Sequence, residues 1–356
     1  MKELQDRTAA VREGQEIDSD KLDSYLSNHF GTNKPLEISQ FPSGYSNLTY
    51  LIKAGDDLFV LRRPPVGTKA KSANDMGREF RVLKSLSGHY PYAPRVSIFC
   101  QDADIIGAPF YLMEYIPGLI VRADYPEKLS ATPGFVAQQG RQFVTALAEL
   151  HNIDYEQAGL AELGRPLGYA ARQVSGWAKR FTAAMTPLTS DFQDIMRWLQ
   201  AHLPEETSRF SLIHNDYKMD NIIWDVEQPE KMIGVLDWEL TTLGDPLMDL
   251  GATLGYWIEA SDPDDLLTIR NMPSNVAGAL SRRELTDSYA ETSGTIIPAN
   301  DFNFYYIYGL FRRAAICQQI FYRFHHGQTT DERFASLPKS VTALENQAKR
   351  IISGKL

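Results

Sequence analysis

The chain of 356 residues has little cysteine, no long apolar run and no excess of positive charge. Its two cysteines, Cys100 and Cys317, are too few for a disulfide framework and fit a reducing compartment. The most apolar stretch, 110–121, is too short to span a bilayer, and residues 1–22 lack the apolar core of a signal peptide. The net charge of −9 disfavours general binding to nucleic acid or to an anionic membrane. These absences predict a cytoplasmic protein that binds neither nucleic acid nor membrane.

Apolar residues follow two different patterns on the two sides of Pro117-Gly118. Before it they favour strands beginning at three places and one helix at 74–86. Residues 1–30 are also predicted to be helical, with Asp18 or Ser19 as the cap of the segment around Leu22. After Pro117-Gly118 the apolar residues favour helices around a short strand-rich island. The strands begin at Leu48, Leu58 and Phe110, the helices include 135–150 and 302–324, and the island is 212–240.

This change of pattern predicts an α+β fold of two lobes with a cleft between them. It predicts an N-terminal lobe over 1–116 built on a small antiparallel sheet and preceded by a helical extension over 1–35. A larger, helical lobe is predicted over 117–356.

Two short strand-like stretches in the island, separated by a Pro-containing turn, predict an antiparallel hairpin. Pairing Ile223 with Val235 sets Asn221 beside Asp237, about 5 Å apart between Cα atoms. An amide oxygen and a carboxylate at that separation can hold a hard cation such as magnesium. Asp216 lies in the loop before the hairpin and is free to face an incoming hydroxyl group.

The order of these residues resembles the catalytic segment of protein kinases, H-R-D-x-x-x-x-N followed by an Asp. Asn215 stands in place of the kinase arginine, and Asp237-Trp-Glu in place of Asp-Phe-Gly. With these departures the stretches 214–221 and 236–251 are similar to the aminoglycoside phosphotransferase and choline kinase superfamily. Within it, they are similar to the kinase-like domains fused to some acyl-CoA dehydrogenases. The resemblance extends from about Phe41 to Phe324.

The resemblance implies a phosphotransferase that uses ATP or GTP with Mg²⁺ and phosphorylates a hydroxyl group of a small molecule. By this resemblance Asp216 orients and deprotonates the acceptor hydroxyl, and Lys218 steadies the transferring phosphoryl group. Asn221 and Asp237 bind the magnesium ion. Because phosphoryl transfer needs mainly positioned charges and a base, these groups suffice. A hydroxylated metabolite, such as a hydroxyacyl thioester, is the acceptor that the nearest branch suggests.

The same resemblance places a phosphate-covering loop and an adenine-binding hinge in the N-terminal lobe over 1–116, which is therefore expected to be the nucleotide-binding lobe. Gly44 and Ser46 lie where the loop belongs, although the stretch has one glycine where a protein kinase has three. The alternative for this stretch is an ordinary turn. Glu114 and Tyr115, just before a Pro-Gly pair, occupy the hinge position.

A basic residue on the third strand is expected to pair with a helix glutamate and to contact phosphate. Arg62 occupies the position that usually carries lysine, and Glu79 is its expected partner. Arg62 and Arg63 point to opposite faces of a strand, so only one of them enters the cleft. Arginine keeps its charge but differs from lysine in reach and geometry. The alternative is a surface salt bridge of Glu79 within its own helix.

Other polar residues of the island are expected to support the structure. His214 is predicted to be a buried, hydrogen-bonded scaffold residue, and Asp245 and Asp249 a helix cap and a brace for the loop. Glu239 has two open interpretations, an outer contact to the metal or a solvated or structural role. The aromatic residues of 302–324 favour core packing. Arg312 and Arg313 within that helix are either anion contacts or part of a solvated face.

Two other functions compete with small-molecule phosphorylation. A catalytically silent, nucleotide-binding regulatory protein of the kinase fold is favoured by Arg62 and disfavoured by the intact Asp216, Asn221 and Asp237. A protein kinase is disfavoured by the missing Gly-rich loop and activation segment.

Overall fold

An antiparallel sheet of five strands organises the front part of the chain in the computed structural model. Buried side chains alternate along its second strand, where Tyr50 and Ile52 are fully covered, as expected of a sheet with one packed face. The predicted hairpin at Gly55 is confirmed, and this glycine has the left-handed φ of 66° that a tight turn requires. The elements are α1 (Ser19–Phe30), β1 (Leu36–Gln40), β2 (Leu48–Ala54), β3 (Asp57–Arg63), α2 (Met76–Leu86), β4 (Val96–Cys100), α3 (Ala103–Ile106) and β5 (Phe110–Glu114), and the strand order is β1-β2-β3-β5-β4.

Part of the chain lies outside the described structure. Gly44 and Ser46, predicted to contact phosphate, fall there, as do the first two residues of the helix predicted at 74–86. The structure describes residues 8–31, 35–42, 47–65, 76–207 and 209–354, without the side chains of 299 and 300.

The first helix is shorter than the sequence indicates. Asp18 caps it, its side chain accepting a hydrogen bond from the Lys21 N–H group, as predicted. The residues before it are not helical, because Ala9 pairs with Gln40 and extends the sheet instead. The expectation of a helix over 1–30 is therefore wrong for residues 8–18.

Helices dominate the remainder of the chain, interrupted by four short strands and three 3-10 turns in the described residues. The two long helices predicted at 135–150 and 302–324 are confirmed, each with slightly wider bounds. None of the helices in the part of the chain that is described has the length and apolarity to cross a membrane. The elements are α4 (Pro133–His151), α5 (Tyr169–Ala183), α6 (Gln193–Ala201), β6 (Ser211–Ile213), a 3-10 turn (Met219–Asn221), β7 (Ile222–Trp224), β8 (Met232–Val235), a 3-10 turn (Trp238–Leu240), β9 (Thr242–Gly244), α7 (Pro246–Leu254), α8 (Asp264–Leu267), α9 (Arg282–Ser293), α10 (Ala299–His325), a 3-10 turn (Glu332–Ser336) and α11 (Leu337–Ile352).

The chain divides into two compact units, each of two segments. The first unit contains Met1–Ile120 and Ile222–Thr241, and the second contains Val121–Asn221 and Thr242–Leu356. The β7–β8 hairpin belongs to the first unit because Leu119 pairs with Trp224 in an isolated bridge.

The register of the β7–β8 hairpin differs by one residue from the prediction. Ile222, and not Ile223, pairs with Val235, while Ile223 pairs with Gly234. The glycine explains the shift: a Cβ atom at Gly234 would lie 3.2 Å from the Ile223 side chain and 3.0 Å from Ile116. A residue without a side chain therefore lets Ile223 pack over the partner strand.

Two glycines set the spacing of α7 and α10 in the second unit. A Cβ atom at Gly309 would lie 1.9 Å from the carbonyl oxygen of Gly251, so the two backbones are in direct contact. The aromatic side chains of α10, including Tyr306, Tyr308 and Phe311, are buried. The prediction that they form core is confirmed.

Candidate active site

A buried aspartate fixes the loop that follows β6. The side chain of Asp249, on α7, is fully buried and accepts hydrogen bonds from the N–H groups of His214 (2.7 Å) and Asn215 (2.8 Å), one to each carboxylate oxygen. His151 contacts the same carboxylate at 3.1 Å. Burial acts to raise the pKa of Asp249, but the contacts from His151 and His214 outweigh it and hold that pKa below its usual value. The predicted bracing role of Asp249 is confirmed.

The braced loop turns sharply just before Asp216. Asn215 has a left-handed φ of 66°, a conformation that asparagine tolerates better than most residues. The Tyr169 hydroxyl group donates to the Asn215 side-chain oxygen at 2.9 Å. His214 is completely buried, and its Nδ1 accepts from the Asp216 N–H group at 3.2 Å, as predicted for a scaffold residue. These hydrogen bonds fix the backbone of the turn that positions Asp216.

Two of the predicted site residues, Lys218 and Asn221, converge on one oxygen of Asp216. The Lys218 ammonium group lies 3.4 Å from its Oδ2, and the Asn221 amide donates to that atom at 3.2 Å and to the Asp216 carbonyl oxygen at 2.8 Å. Lys218 also lies 3.4 Å from Asp220. No hydrogen bond reaches Oδ1 of Asp216 from the described residues. That oxygen is available to accept a proton.

The first unit contains its own charged cluster, centred on Arg62. The guanidinium group lies 2.9 Å from Glu79 and 3.2 Å from Asp237, and Arg62 and Glu79 are 8% and 1% exposed. Burial alone would lower the pKa of Arg62, but the two carboxylates raise it well above its usual value, so the group stays charged. The predicted Arg62–Glu79 pair is present, and Arg63 instead donates to the Ile106 carbonyl oxygen at 2.7 Å.

Asp237 is presented by a turn that tryptophan anchors. Trp238 is fully buried, donates from its indole nitrogen to the Val235 carbonyl oxygen at 2.8 Å, and meets the Tyr90 ring edge-on at 5.7 Å. Asp237 itself has a left-handed φ of 69°, a backbone strain that costs on the order of 1 kcal/mol and is common at functional sites. Anchored in this way, the Asp237 carboxylate meets Arg62 within the same unit.

The family of the chain follows from its motifs and from comparison with known proteins. A model of the phosphotransferase enzyme family matches residues 37–285. The chain belongs to this family. Mouse acyl-CoA dehydrogenase family member 10 is 36% identical over 347 residues, which are 95% of this chain and 32% of the relative. Human acyl-CoA dehydrogenase family member 11 is 33% identical over 337 residues, 91% of this chain and 42% of the relative. The chain thus spans only about a third to two fifths of the length of these relatives.

Solved structures give the same result for the fold. A Ralstonia eutropha protein provisionally described as an aminoglycoside phosphotransferase superposes with a TM-score of 0.78 at 27% identity, covering 95% of this chain and 99% of the other. Choline kinase from Cryptosporidium parvum superposes with a TM-score of 0.64 at 12% identity, covering 95% and 98%. The kinase-like α+β fold and the resemblance to this superfamily are confirmed.

The residue types of this phosphotransferase suit magnesium. Asn221 donates both of its side-chain hydrogen bonds through its amide nitrogen, which leaves the amide oxygen for a cation. Asp237 contributes a carboxylate, 31% exposed. The described residues contain no group of three or more His, Cys, Asp or Glu side chains arranged around a common point. Magnesium at phosphotransfer sites takes only one or two carboxylates and completes its shell with phosphate and water, so the amide oxygen and the carboxylate are each a suitable donor for it.

The hinge residues are partly committed within the sheet. The Glu114 N–H group donates to the Arg95 carbonyl oxygen at 2.8 Å, and the Glu114 side chain accepts from the Arg95 N–H group at 2.8 Å. A nucleotide base at this edge would have to hydrogen-bond with other backbone groups of Glu114 and Tyr115.

Two contacts of the site were not predicted from the sequence. Asn47 donates to the Glu239 carboxylate at 2.8 Å, a contact that favours the structural role among the interpretations left open for Glu239. Arg78, on α2, donates to the carbonyl oxygens of Glu239 (3.3 Å) and Thr241 (2.5 Å). Both contacts join residues more than 150 positions apart, and no local pattern marks them.

Proposed function

We propose that this phosphotransferase moves the γ-phosphoryl group of ATP or GTP to a hydroxyl group of a small molecule. The observation that carries the proposal is the convergence of Lys218 and Asn221 on one oxygen of Asp216, with the other oxygen left for a substrate proton. Membership of the phosphotransferase enzyme family supports the reaction type.

In the proposed reaction Asp216 Oδ1 accepts the proton of the acceptor hydroxyl group while the hydroxyl oxygen bonds to the γ-phosphorus. The bond from that phosphorus to the β-phosphate oxygen breaks, and the nucleoside diphosphate leaves. Lys218 balances the charge of the transferring group, as positioned cations do in loose phosphoryl transition states. Asn221 and Asp237 are the proposed magnesium ligands, and the ion would neutralise phosphate charge.

Arg62 is proposed to contact the nucleotide phosphates from the first unit, with Glu79 holding its guanidinium group in place. Gly44, Ser46, Glu114 and Tyr115 are the other proposed nucleotide contacts.

The first acceptors to test are hydroxyacyl thioesters. The support is that almost the whole chain matches a part of proteins named as acyl-CoA dehydrogenases, so a substrate common to both parts would be a thioester. Choline and aminoglycosides are the comparison acceptors, because solved relatives of similar fold are named for them.

Thermal unfolding with ATP or GTP, with and without magnesium, tests the nucleotide site. At about 100-fold excess over Kd, a ligand that binds only the folded state adds roughly 2.7 kcal/mol of stability. A magnesium-dependent rise in Tm is expected, and phosphorus NMR then detects transfer to the acceptor panel. The absence of any rise in Tm with either nucleotide would contradict the proposal.

A catalytically silent nucleotide-binding protein is the second candidate. It is favoured by one observation: Arg62 replaces the usual lysine and is paired with Asp237, a proposed metal ligand. Magnesium-dependent nucleotide binding without transfer to any acceptor, and without hydrolysis, would favour this candidate.

A further inference from the structure

Two arginines of α10 are buried near the catalytic loop. Arg312 and Arg313 are 2% and 5% exposed, which excludes the solvated helix face that the sequence left open. In the part of the chain that the structure describes, neither forms a salt bridge with a carboxylate. A buried charge without a partner is destabilising, so each arginine needs an explanation.

Arg313 is explained by the backbone around it. Its guanidinium group donates to the carbonyl oxygens of Gly255 (3.1 Å) and Ile269 (2.5 Å) and lies 5.0 Å from the centre of the Tyr256 ring. These contacts make it a structural residue.

Arg312 is not explained in this way. Its Nη2 donates to the carbonyl oxygen of Asn215, and within the described residues this is the one hydrogen bond of the group. A guanidinium group has five N–H donors, so most of them have no acceptor. The Trp177 ring, 5.2 Å away, stacks against the group without accepting those bonds. Because Asn215 directly precedes Asp216, the unused donors lie beside the proposed base.

Tyr256, just after α7, belongs to the same cluster. Its ring centre lies 5.8 Å from the Lys218 ammonium group, and its hydroxyl group forms no hydrogen bond with the described residues. Burial raises the pKa of Tyr256, and the charge of Asp216 raises it further against the opposing effect of Lys218 and Arg312. The hydroxyl group is therefore protonated at neutral pH and can donate.

The carboxylates of this cluster lie within salt-bridge distance of Lys218 and not of Arg312. Lys218 has two carboxylate neighbours, Asp216 and Asp220, whereas Arg312 has none within salt-bridge distance among the described residues. We infer that Arg312 and Tyr256 bind an anionic group of the acceptor, a carboxylate or a phosphate. The inference rests on the proposed function and narrows its acceptor class: it disfavours choline and the polycationic aminoglycosides.

The test compares acceptors with and without an anionic group, using the full chain with magnesium and nucleotide. Free hydroxy acids are paired with their methyl esters, and hydroxyacyl thioesters of phosphopantetheine with those of pantetheine, which lack only the phosphate. The first pair reports a carboxylate and the second a phosphate. The variants are Arg312→Gln, Tyr256→Phe and the control Arg323→Gln, which removes the same charge from an exposed position of α10.

The anionic member of at least one pair is expected to have the higher kcat/KM. Arg312→Gln should lower that value roughly 10- to 100-fold, mainly through KM, since hydrogen bonds to charged groups are of this strength. Tyr256→Phe, which removes no hydrogen bond made within the described protein, should lower it roughly 10-fold, and Arg323→Gln should leave it unchanged.

Two results would overturn the inference: charged and uncharged acceptors used equally well, or a preference that survives both Arg312→Gln and Tyr256→Phe. A loss of nucleotide affinity in Arg312→Gln equal to its loss of kcat/KM would also overturn it, because the group would then bind nucleotide phosphate. Nucleotide binding, measured in parallel by calorimetry, separates the two proposals. Nucleotide bound without any preference for anionic acceptors contradicts only the inference, whereas no nucleotide binding contradicts the proposed function.

Discussion

The guanidinium group of Arg62 lies 3.2 Å from the carboxylate of Asp237, the residue proposed to bind magnesium. The same group lies 2.9 Å from Glu79, so it bridges two carboxylates in the first unit. The planar guanidinium fork presents its donors to two separated acceptors, whereas the ammonium group of lysine is a compact point charge. A magnesium ion that binds Asp237 therefore competes with Arg62 for the same oxygen atoms.

Replacing Arg62 with lysine should strengthen magnesium binding. The compact ammonium group of lysine is expected to keep the buried pair with Glu79 and to lose the contact with Asp237. Because solvent screens Asp237, whose side chain is 31% exposed, release of its ion pair with Arg62 is worth up to about 1 kcal/mol, and we expect magnesium affinity in the presence of nucleotide to rise about 3- to 5-fold. Isothermal titration of magnesium into the nucleotide-loaded protein measures the change.

Arg63→Lys is the matched control for this variant. Arg63 is the neighbouring buried arginine, but it donates to the Ile106 carbonyl oxygen and contacts neither carboxylate. Its replacement should leave magnesium affinity unchanged. Equal effects of the two substitutions would show that the Arg62–Asp237 contact has no bearing on the metal.

Replacing Asp216 with asparagine should remove catalysis and spare nucleotide binding. The amide keeps the size of the side chain but cannot accept the hydroxyl proton, and general-base catalysis contributes typically 10²- to 10⁴-fold. We expect kcat to fall about 10³-fold with nucleotide Kd within a factor of about 3. Asp220→Asn, at the other carboxylate neighbour of Lys218, is the control and should retain most of the activity. Wild-type turnover in Asp216→Asn would refute the assignment of the base.

Much of this arrangement is encoded locally and could be predicted. The catalytic loop, the turn at Asp237 and the cap of α7 each lie within a few residues, where spacing and side-chain chemistry leave few alternatives. Asp245, for example, accepts from the Leu247 N–H group at 2.8 Å, as predicted for a helix cap. The Arg62–Glu79 pair was predictable because the family resemblance places a basic residue on the third strand and its glutamate partner on a helix.

The remainder depends on tertiary contacts that leave no local pattern. The register of β7 and β8 follows from the space over Gly234, and the hydrogen bond from Asn47 to Glu239 joins distant segments. The role proposed for Arg312 depends on the burial of its side chain. The aromatic pattern of α10 does not show whether a given single position of the helix is buried or exposed.

Replacing Asp249 with asparagine should destabilise the protein. Both carboxylate oxygens accept backbone N–H groups of the catalytic loop, and the amide nitrogen of asparagine would face one of these donors. Breaking a buried charged network costs about 3–5 kcal/mol, and urea unfolding measures the loss. Asp287→Asn, at an exposed carboxylate of α9, should change stability by no more than about 0.5 kcal/mol.

The stabilisation from Asp249 should also depend on pH, in a direction set by its lowered pKa. The folded protein binds this proton less readily than the unfolded chain, so the contribution is complete above the ordinary value of 3.8. It declines as pH falls below 3.8 towards the folded pKa. The difference in free energy of unfolding between wild type and Asp249→Asn is thus expected to be constant near neutral pH and to shrink in acid. A difference that grows on acidification would contradict the lowered pKa.

Replacing Gly309 with alanine should force α7 and α10 apart. The new Cβ atom would lie 1.9 Å from the Gly251 carbonyl oxygen, and because backbone stands on both sides no rotamer change can relieve the overlap. Overpacking costs typically 1–3 kcal/mol and here opposes the gain of up to about 1 kcal/mol that alanine brings to a helix, so a net loss of about 2 kcal/mol is expected. Gly134→Ala in α4, where a Cβ atom meets nothing within 4 Å, should be neutral or stabilising in the same urea experiment. Because α7 carries Asp249 and α10 carries Arg312, separation of the two helices should also displace the loop before Asp216. The Gly309 variant is therefore expected to lose kcat at temperatures where it is still folded, and full activity in a destabilised but folded protein would show that the helix spacing does not position the base.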